Sequence, residues 1–471
     1  MLIGVIQKPR LAEMAAVLDT LDASLFDALE LRLDACEDLT AEGLARLPLP
    51  LPAIFTLRCR EEGGAFQGEE AVRLTLLETL IRLKPAYMDI EASVPADRIA
   101  AIRALSPTTQ IILSRHNFTE TPDALEDMLH TMRAQAEGVI YKIATYARNS
   151  LDALRMLVFC TQQRAAGIPL VGICMGPDGE STRILAPLVH SGLCYCPVEE
   201  CSAPGQIDVH SLREIYNVVG MNTDTALYGL LGNPVSHSIG HMHHNRLNAS
   251  AGGNAVYVKW RLEPEELEQG LALLHTLGVR GLSVTMPLKE AVLPFLCGMN
   301  GAVRDIGAAN TLIAMPDGWY GLNTDGQGAL NCLPVALHGK RVVVLGAGGA
   351  AKSVIYEAVR QGAVVRVFNR SAHKRLPGDV PVYPLGEVGR LRNEPYDVII
   401  NALPFDAPIA FAEVPFLRGT LAMDCSYAKP GGQIGEFLRR AAEAGCVALD
   451  GAGMYVEQAA LQRGVWGLPR Y

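Results

Sequence analysis

The sequence predicts an α/β protein in two halves, a (β/α)8 TIM barrel followed by a two-domain α/β region that contains a nucleotide-binding domain. Three observations carry that expectation. Eight short apolar runs alternate with amphipathic stretches through about residue 215; a polar stretch, YNVVGMNTDT (216–225), then precedes a new start at LYGLLGNPVSHS; and RVVVLGAGGAAKSVIYEAV (341–359) passes an apolar strand through glycines into a helical pattern. With 471 residues, 49% hydrophobic and 19% charged, the chain can bury more than one core.

The eight runs are LIGVIQ (2–7), FDALELRLD (26–34), PAIFTLR (52–58), YMDIE (87–91), QIILSRH (110–116), VIYKIAT (139–145), PLVGICM (169–175) and GLCYCPV (192–198). Stretches such as EEAVRLTLLETLIRLK and DALEDMLHTMRAQAEG lie between them, which is the βα alternation of a parallel barrel over residues 1–215.

Chemistry in such a barrel sits at the C-terminal ends of its strands. Polar residues collect there. Glu30, Arg32 and Asp34 end the second run, Arg58 the third, Asp89 and Glu91 the fourth, Arg115 and His116 the fifth; Lys142 lies inside the sixth, Arg183 follows the seventh, and Ser202 and Gln206 follow the eighth. A strand lysine alone reads first as an edge residue reaching for water. In this company Lys142 reads as an amine that attacks a carbonyl, His116 as a proton carrier, a carboxylate as its orienter, and the arginines as anion holders. A protonated imine is an electron sink, so a base can remove the α proton and expel a β-hydroxyl as water. An aldolase would use the same amine, and the barrel alone does not separate the two.

Composition narrows the partners. The net charge of −9, with no long run of lysine and arginine, argues against nucleic acid; the small-molecule substrate expected follows from the site residues instead. No segment reaches the ~18–20 uninterrupted apolar residues of a membrane span, and MLIGVIQKPRLAEMAAVLDTLD reads as neither signal nor transit peptide, so a cytoplasmic location is expected. Eleven cysteines, an odd number scattered through apolar runs, suggest reduced thiols. Cys194, Cys196 and Cys201 lack paired C-x-x-C spacing, so no metal is expected.

The motifs ELRLD (30–34), FTLRCREEGG (55–64), DIE (89–91), SRHNF (114–118), YKIAT (141–145) and SAPGQ (202–206), in that order, resemble type I 3-dehydroquinate dehydratase over residues 1–215. The resemblance implies Lys142 as the Schiff-base amine, His116 as general acid/base and Glu91 as its orienting carboxylate. It places Glu30, Arg32, Arg58, Arg183, Ser202 and Gln206 around the substrate.

In the second half, Gly346, Gly348 and Ala351 form a G-x-G-x-x-A turn between strand and helix, the Rossmann dinucleotide signature, with Gly349 and Ala350 completing the loop. The first glycine permits the tight turn and the second lets backbone approach a pyrophosphate at the helix N-terminus. The next strand ends in Asn369 and Arg370, with Lys374 nearby, where an NAD fold usually carries an acid; this favours NADP, against the alternative of a solvated basic turn.

Residues 226–325 contain GNPVSHSIGHMHHN (232–245), GLSVTMPLKE (281–290), AANTL (308–312) and LNTDG (322–326). Within them Lys289 and Asp325 can shuttle a proton to a hydroxyl. In this order the motifs resemble shikimate dehydrogenase over residues 226–471. The resemblance implies Lys289 and Asp325 as the catalytic pair, with Ser238, Thr285, Asn310, Tyr427 and Gln458 near the substrate. It also implies a substrate domain over 226–325, completed by 451–471, with an NADP domain inserted at 326–450. Two departures stand out: Ser238-Ile239-Gly240-His241 replaces S-x-S-P, leaving His241 to substitute for a missing hydroxyl, and Leu403 replaces a threonine in Asn401-Ala402-Leu403-Pro404.

The combined expectation is a bifunctional enzyme that dehydrates 3-dehydroquinate to 3-dehydroshikimate and reduces it to shikimate with NADPH. Its rivals are a class I aldolase barrel fused to an NADP reductase, and a ligand sensor with a retired dehydrogenase half.

Overall fold

A computed structural model describes residues 1–199, 201, 203–236, 238–371, 376–403, 411–426 and 435–471. The chain divides into two compact units. One is Met1–Gly229 with Val235–Leu262 and Gln269–Val279; the other is Leu230–Pro234 and Glu263–Glu268 with Arg280–Tyr471.

The first sheet contains β1 (Leu2–Ile6), β2 (Ala28–Arg32), β3 (Ala53–Thr56), β4 (Tyr87–Glu91), β5 (Gln110–His116), β6 (Ile140–Tyr146), β7 (Leu170–Met175) and β8 (Cys194–Pro197). Its order is β7-β6-β5-β4-β3-β2-β1-β8, with every pairing parallel. It curls as a (β/α)8 barrel, the last strand beside the first. Ile3, Val5, Ala28, Ile54, Ile112, Ala144, Val171 and Tyr195 share one buried cluster. Because side chains alternate across a strand, residues two positions on from these share their face. Glu30, Thr56, Ser114 and Lys142 therefore stand on the barrel's inner face. Register levels them, with Glu91 opposite Ser114 and Ser114 opposite Lys142.

A six-stranded sheet follows, formed by β9 (Ala226–Gly232), β10 (Ala255–Arg261), β11 (Val279–Val284), β12 (Leu296–Met299), β13 (Thr311–Met315) and β14 (Gly318–Leu322), in the order β10-β9-β11-β13-β14-β12. The third sheet is parallel and contains β15 (Arg341–Leu345), β16 (Val364–Asn369), β17 (Val382–Pro384), β18 (Val398–Asn401), β19 (Leu421–Asp424) and β20 (Val447–Leu449). Its order, β17-β16-β15-β18-β19-β20, is the doubly wound arrangement with its switch point beside β15.

The C-terminal helix Gly451–Val465 returns to the middle sheet within the second unit. Gln462 Nε2 donates to Asn310 O at 3.1 Å and Thr311 Oγ1 at 3.0 Å, and Gln462 Oε1 accepts from Ser283 Oγ at 2.9 Å.

The stretch 216–225 is packed: Tyr216, Val218 and Met221 are buried, and Tyr216 stacks on His241 with ring centroids 6.0 Å apart. Three apolar side chains in a short polar-looking segment are enough to anchor it. No helix among the described residues is long and apolar enough to cross a membrane.

Candidate active sites

Lys142 is 5% exposed and its surroundings are ionic. Nζ donates to Asp89 Oδ2 at 3.0 Å, lies 3.9 Å from Glu30 Oε1, and sits 4.1 Å from the centroid of the Tyr195 ring. Asp89 also receives Arg58 Nη2 at 2.8 Å and Ser114 Oγ at 2.6 Å. Burial alone would raise the Asp89 carboxyl, but the Arg58 and Lys142 charges outweigh it and hold Asp89 well below the carboxylate range. Arg58 stays charged for the reciprocal reason: burial opposes its charge, and Asp89, Glu91 and Glu30 overcome that. Lys142 is thus held in a buried ion-paired network with Asp89 and Arg58 on the inner face of the barrel.

The expected orienter of His116 is corrected. Glu91 does not touch the imidazole. Its Oε1 accepts Cys59 N–H at 3.0 Å and lies 3.2 Å from Arg58 Nη1, while Oε2 accepts Arg73 Nη1 at 2.6 Å. Glu62, from the turn Arg60–Glu62 after β3, takes the role: its Oε2 lies 2.9 Å from His116 Nδ1 and accepts the His116 backbone N–H at 3.0 Å. The turn folds back because Gly64 packs on Arg58, where a Cβ would stand 2.0 Å from the Arg58 carbonyl oxygen. Glu62 lay inside FTLRCREEGG, but nothing in its spacing connected it to a histidine more than fifty residues later.

Burial holds His116 well below its usual 6.5, reinforced by the positive charges of Arg58 and Lys142, so the ring is neutral near pH 7. Burial also pushes Glu62 up to about 7, with Arg58 opposing.

The remaining predicted groups make contacts of their own. Glu30 Oε1 accepts Thr56 Oγ1 at 2.7 Å, and Arg32 pairs with Asp34 through Nε at 3.0 Å and Nη2 at 2.9 Å. Arg183 donates to Gly205 O at 2.9 Å and Pro204 O at 3.3 Å, and Gln206 Oε1 accepts Ala203 N–H at 3.2 Å, so Arg183 pins the loop after β8. Ser202 lies outside the described residues.

In the second unit, Lys289 Nζ donates to Asp325 Oδ2 at 2.5 Å. Asn310 Nδ2 donates to Asp325 Oδ1 at 2.8 Å, to Thr324 Oγ1 at 3.0 Å and to Gln458 Oε1 at 3.4 Å. Lys289, Asp325, Asn310 and Gln458 are therefore one hydrogen-bonded constellation, drawn from four separate stretches of chain. Thr285 follows β11 and packs against Gly232, where a Cβ would meet the threonine methyl at 2.2 Å. In the first unit, Ser238 Oγ accepts Gly240 N–H at 3.1 Å at the start of the helix Gly240–Ser250. His241 is half-buried and stacks on Tyr216, and burial with the Lys259 charge lowers it to about 4. Tyr427 and Lys374 lie outside the described residues.

The glycine turn after β15 has the form a dinucleotide needs. Gly346 has φ +107, which disfavours a side chain, and a Cβ on Gly348 would meet nothing within 4 Å. Gly349 and Ala350 open the helix Gly349–Arg360, and a Cβ on Gly349 would lie 3.6 Å from Lys289 Cδ. The turn and the Lys289–Asp325 pair thus share one site. Asn369 ends β16, which pairs with β15, and the exposed Arg370 follows it, so both sit beside the turn. Leu403 approaches Gly346: its Cδ2 would lie 3.3 Å from a Cβ there, so this departure closes on the turn.

Fold and geometry define a two-enzyme α/β chain, a lysine barrel joined to a dinucleotide-dependent oxidoreductase. The type I 3-dehydroquinase family model matches residues 5–223, and that of the shikimate dehydrogenase substrate binding domain matches residues 230–312. The chain is 31% identical to the shikimate biosynthesis protein AroDE of Chlamydia pneumoniae, covering 94% of this chain and 90% of that protein. It is 31% identical to the chloroplastic bifunctional 3-dehydroquinate dehydratase/shikimate dehydrogenase of Arabidopsis thaliana, covering 94% and 78%. A crystal structure of shikimate dehydrogenase from Aquifex aeolicus aligns with a TM-score of 0.48 at 31% identity, covering 53% of this chain and 96% of that one. The chain belongs to the bifunctional 3-dehydroquinate dehydratase/shikimate dehydrogenase family. It is an enzyme of the shikimate pathway, a lyase and an oxidoreductase in one polypeptide.

Proposed function

We propose that the barrel dehydrates 3-dehydroquinate through a Schiff base on Lys142. The amine adds to the ketone, water leaves, and the resulting iminium acidifies the adjacent C–H. His116, neutral and held at Nδ1 by Glu62, takes that proton; the enamine then expels the β-hydroxyl as water, and hydrolysis of the iminium returns the lysine. Arg32, Arg58, Arg183, Glu30, Gln206 and Ser202 hold the carboxylate and hydroxyls. The observation that carries the reading is Lys142, buried, with its amine directed at Asp89.

In the second site Lys289, held by Asp325, supplies the proton to the alkoxide that forms when the ketone of 3-dehydroshikimate is reduced, while Asn310 and Gln458 fix Asp325 and the substrate, with Ser238, Thr285 and Tyr427 as further substrate contacts. NADPH, when bound, supplies the hydride. Gly346, Gly348, Gly349 and Ala350 suit its pyrophosphate, and Asn369, Arg370 and Lys374 its 2′-phosphate. A cytoplasmic setting agrees with eleven free thiols.

The test supplies 3-dehydroquinate and NADPH together and follows both the near-ultraviolet absorbance of the enone and loss of NADPH. Lys142→Ala should abolish enone formation, and Lys289→Ala should let the enone accumulate while NADPH persists. Enone formation by Lys142→Ala at the parent rate would refute the Schiff-base assignment. NADPH loss by Lys289→Ala at the parent rate, measured on supplied 3-dehydroshikimate, would refute the second.

A further inference from the structure

Within the first compact unit, the end of β10 reaches two loops at the mouth of the barrel. Arg261 forms a fork with Asp178, Nε to Oδ1 at 2.9 Å and Nη2 to Oδ2 at 2.6 Å, and its backbone N–H donates to Ser150 Oγ at 2.9 Å. Asp178 lies in the turn after β7, and Ser150 begins the helix after β6, the strand that carries Lys142. Two residues earlier on the same face of β10, the Lys259 charge opposes the upward push of burial on Glu180, which begins the helix after that turn. Gly270 adds an apolar contact, since a Cβ there would stand 3.5 Å from Leu151 Cδ2.

The turn so gripped runs directly into the helix Glu180–Ile184, which carries Arg183, and its other side is already fixed. Gly176 N–H donates to Pro204 O at 3.1 Å, and Thr182 Oγ1 accepts Cys174 N–H at 3.0 Å while donating to Gly179 O at 2.8 Å. The open side of the turn is the one that Asp178 ties to Arg261. A bidentate guanidinium–carboxylate pair restrains orientation as well as distance, which a point charge would not.

We propose that Arg261 is a positioning residue for the dehydratase: through Asp178 it fixes the loop that presents Arg183 to the substrate. The inference rests on the reading of Arg183 as a substrate group. A residue of the dehydrogenase half thereby tunes substrate capture in the dehydratase half.

The test uses the full chain and steady-state dehydratase kinetics on Arg261→Ala, Asp178→Asn, their double variant and Arg183→Ala. Arg261→Ala and Asp178→Asn should each raise KM for 3-dehydroquinate roughly three- to tenfold with kcat within about twofold, and the double variant should be no worse than either. Arg261→Lys should recover only part of the loss, because an ammonium lacks the fork. A raised KM in Arg183→Ala with an unmoved KM in both Arg261→Ala and Asp178→Asn overturns this inference alone. An unmoved KM in Arg183→Ala overturns the reading of Arg183 and the inference with it. A parallel fall in both enzymatic activities and in melting temperature would make Arg261 a purely structural brace, and that also overturns it.

Discussion

Glu62 Oε2 is bound twice by His116, with the backbone N–H at 3.0 Å and the ring Nδ1 at 2.9 Å. With Glu62 ionised, this grip keeps the proton on Nδ1 and leaves the Nε2 lone pair free for the part proposed for it as base.

Burial pushes Glu62 up to about 7, so kcat/KM of the dehydratase should rise with pH through about that value. In Glu62→Gln that limb should disappear, and kcat/KM should fall about 10- to 100-fold. A pH profile of kcat/KM for both proteins checks this, and an unchanged limb would exclude Glu62 as its origin.

The same shift makes a stability prediction. A carboxyl whose folded pKa lies above its ordinary 4.5 contributes stability that is present below 4.5 and is lost as pH rises through about 7. Glu62→Gln should therefore be more stable than the parent by roughly 1–3 kcal/mol near pH 8 and equal to it near pH 4. Urea unfolding at the two pH values measures the difference.

Arg73 is 1% exposed and holds Glu91 Oε2 at 2.6 Å, Leu57 O at 3.0 Å and both oxygens of Glu70. Arg73→Met removes one of the two arginines that pair with the buried Glu91. The expected loss is about 3 kcal/mol, read as a lower urea midpoint.

Asp325 joins Lys289 to Asn310. Asp325→Asn keeps the shape and removes the charge that holds Lys289. Reduction of 3-dehydroshikimate should slow by about 10²–10³-fold, with enone formation in the barrel unchanged; equal loss in both assays would point to misfolding instead.

Arg370 is exposed beside the glycine turn. Arg370→Ala should raise KM for NADPH about tenfold and leave KM for NADH nearly unmoved, because only the former has a 2′-phosphate to pair. Equal effects on both cofactors would remove Arg370 from that role.

What the sequence determined by itself was whatever follows from local periodicity. Two-residue alternation put Lys142 on a strand face, the βα rhythm named the barrel, and Gly346, Gly348 and Ala351 between strand and helix marked the dinucleotide turn. The tertiary structure decided which charge meets which. Glu91 and Glu62 both lay in motifs beside the right strands, yet Glu91 is consumed by Arg73, Arg58 and Cys59 N–H while Glu62 reaches His116. Ion pairs between side chains dozens of residues apart depend on how a loop turns and which partners the fold brings within reach in a crowded, desolvated space. Neither is encoded in spacing along the chain, and the same holds for Arg261, whose partner Asp178 is a contact that only folding creates.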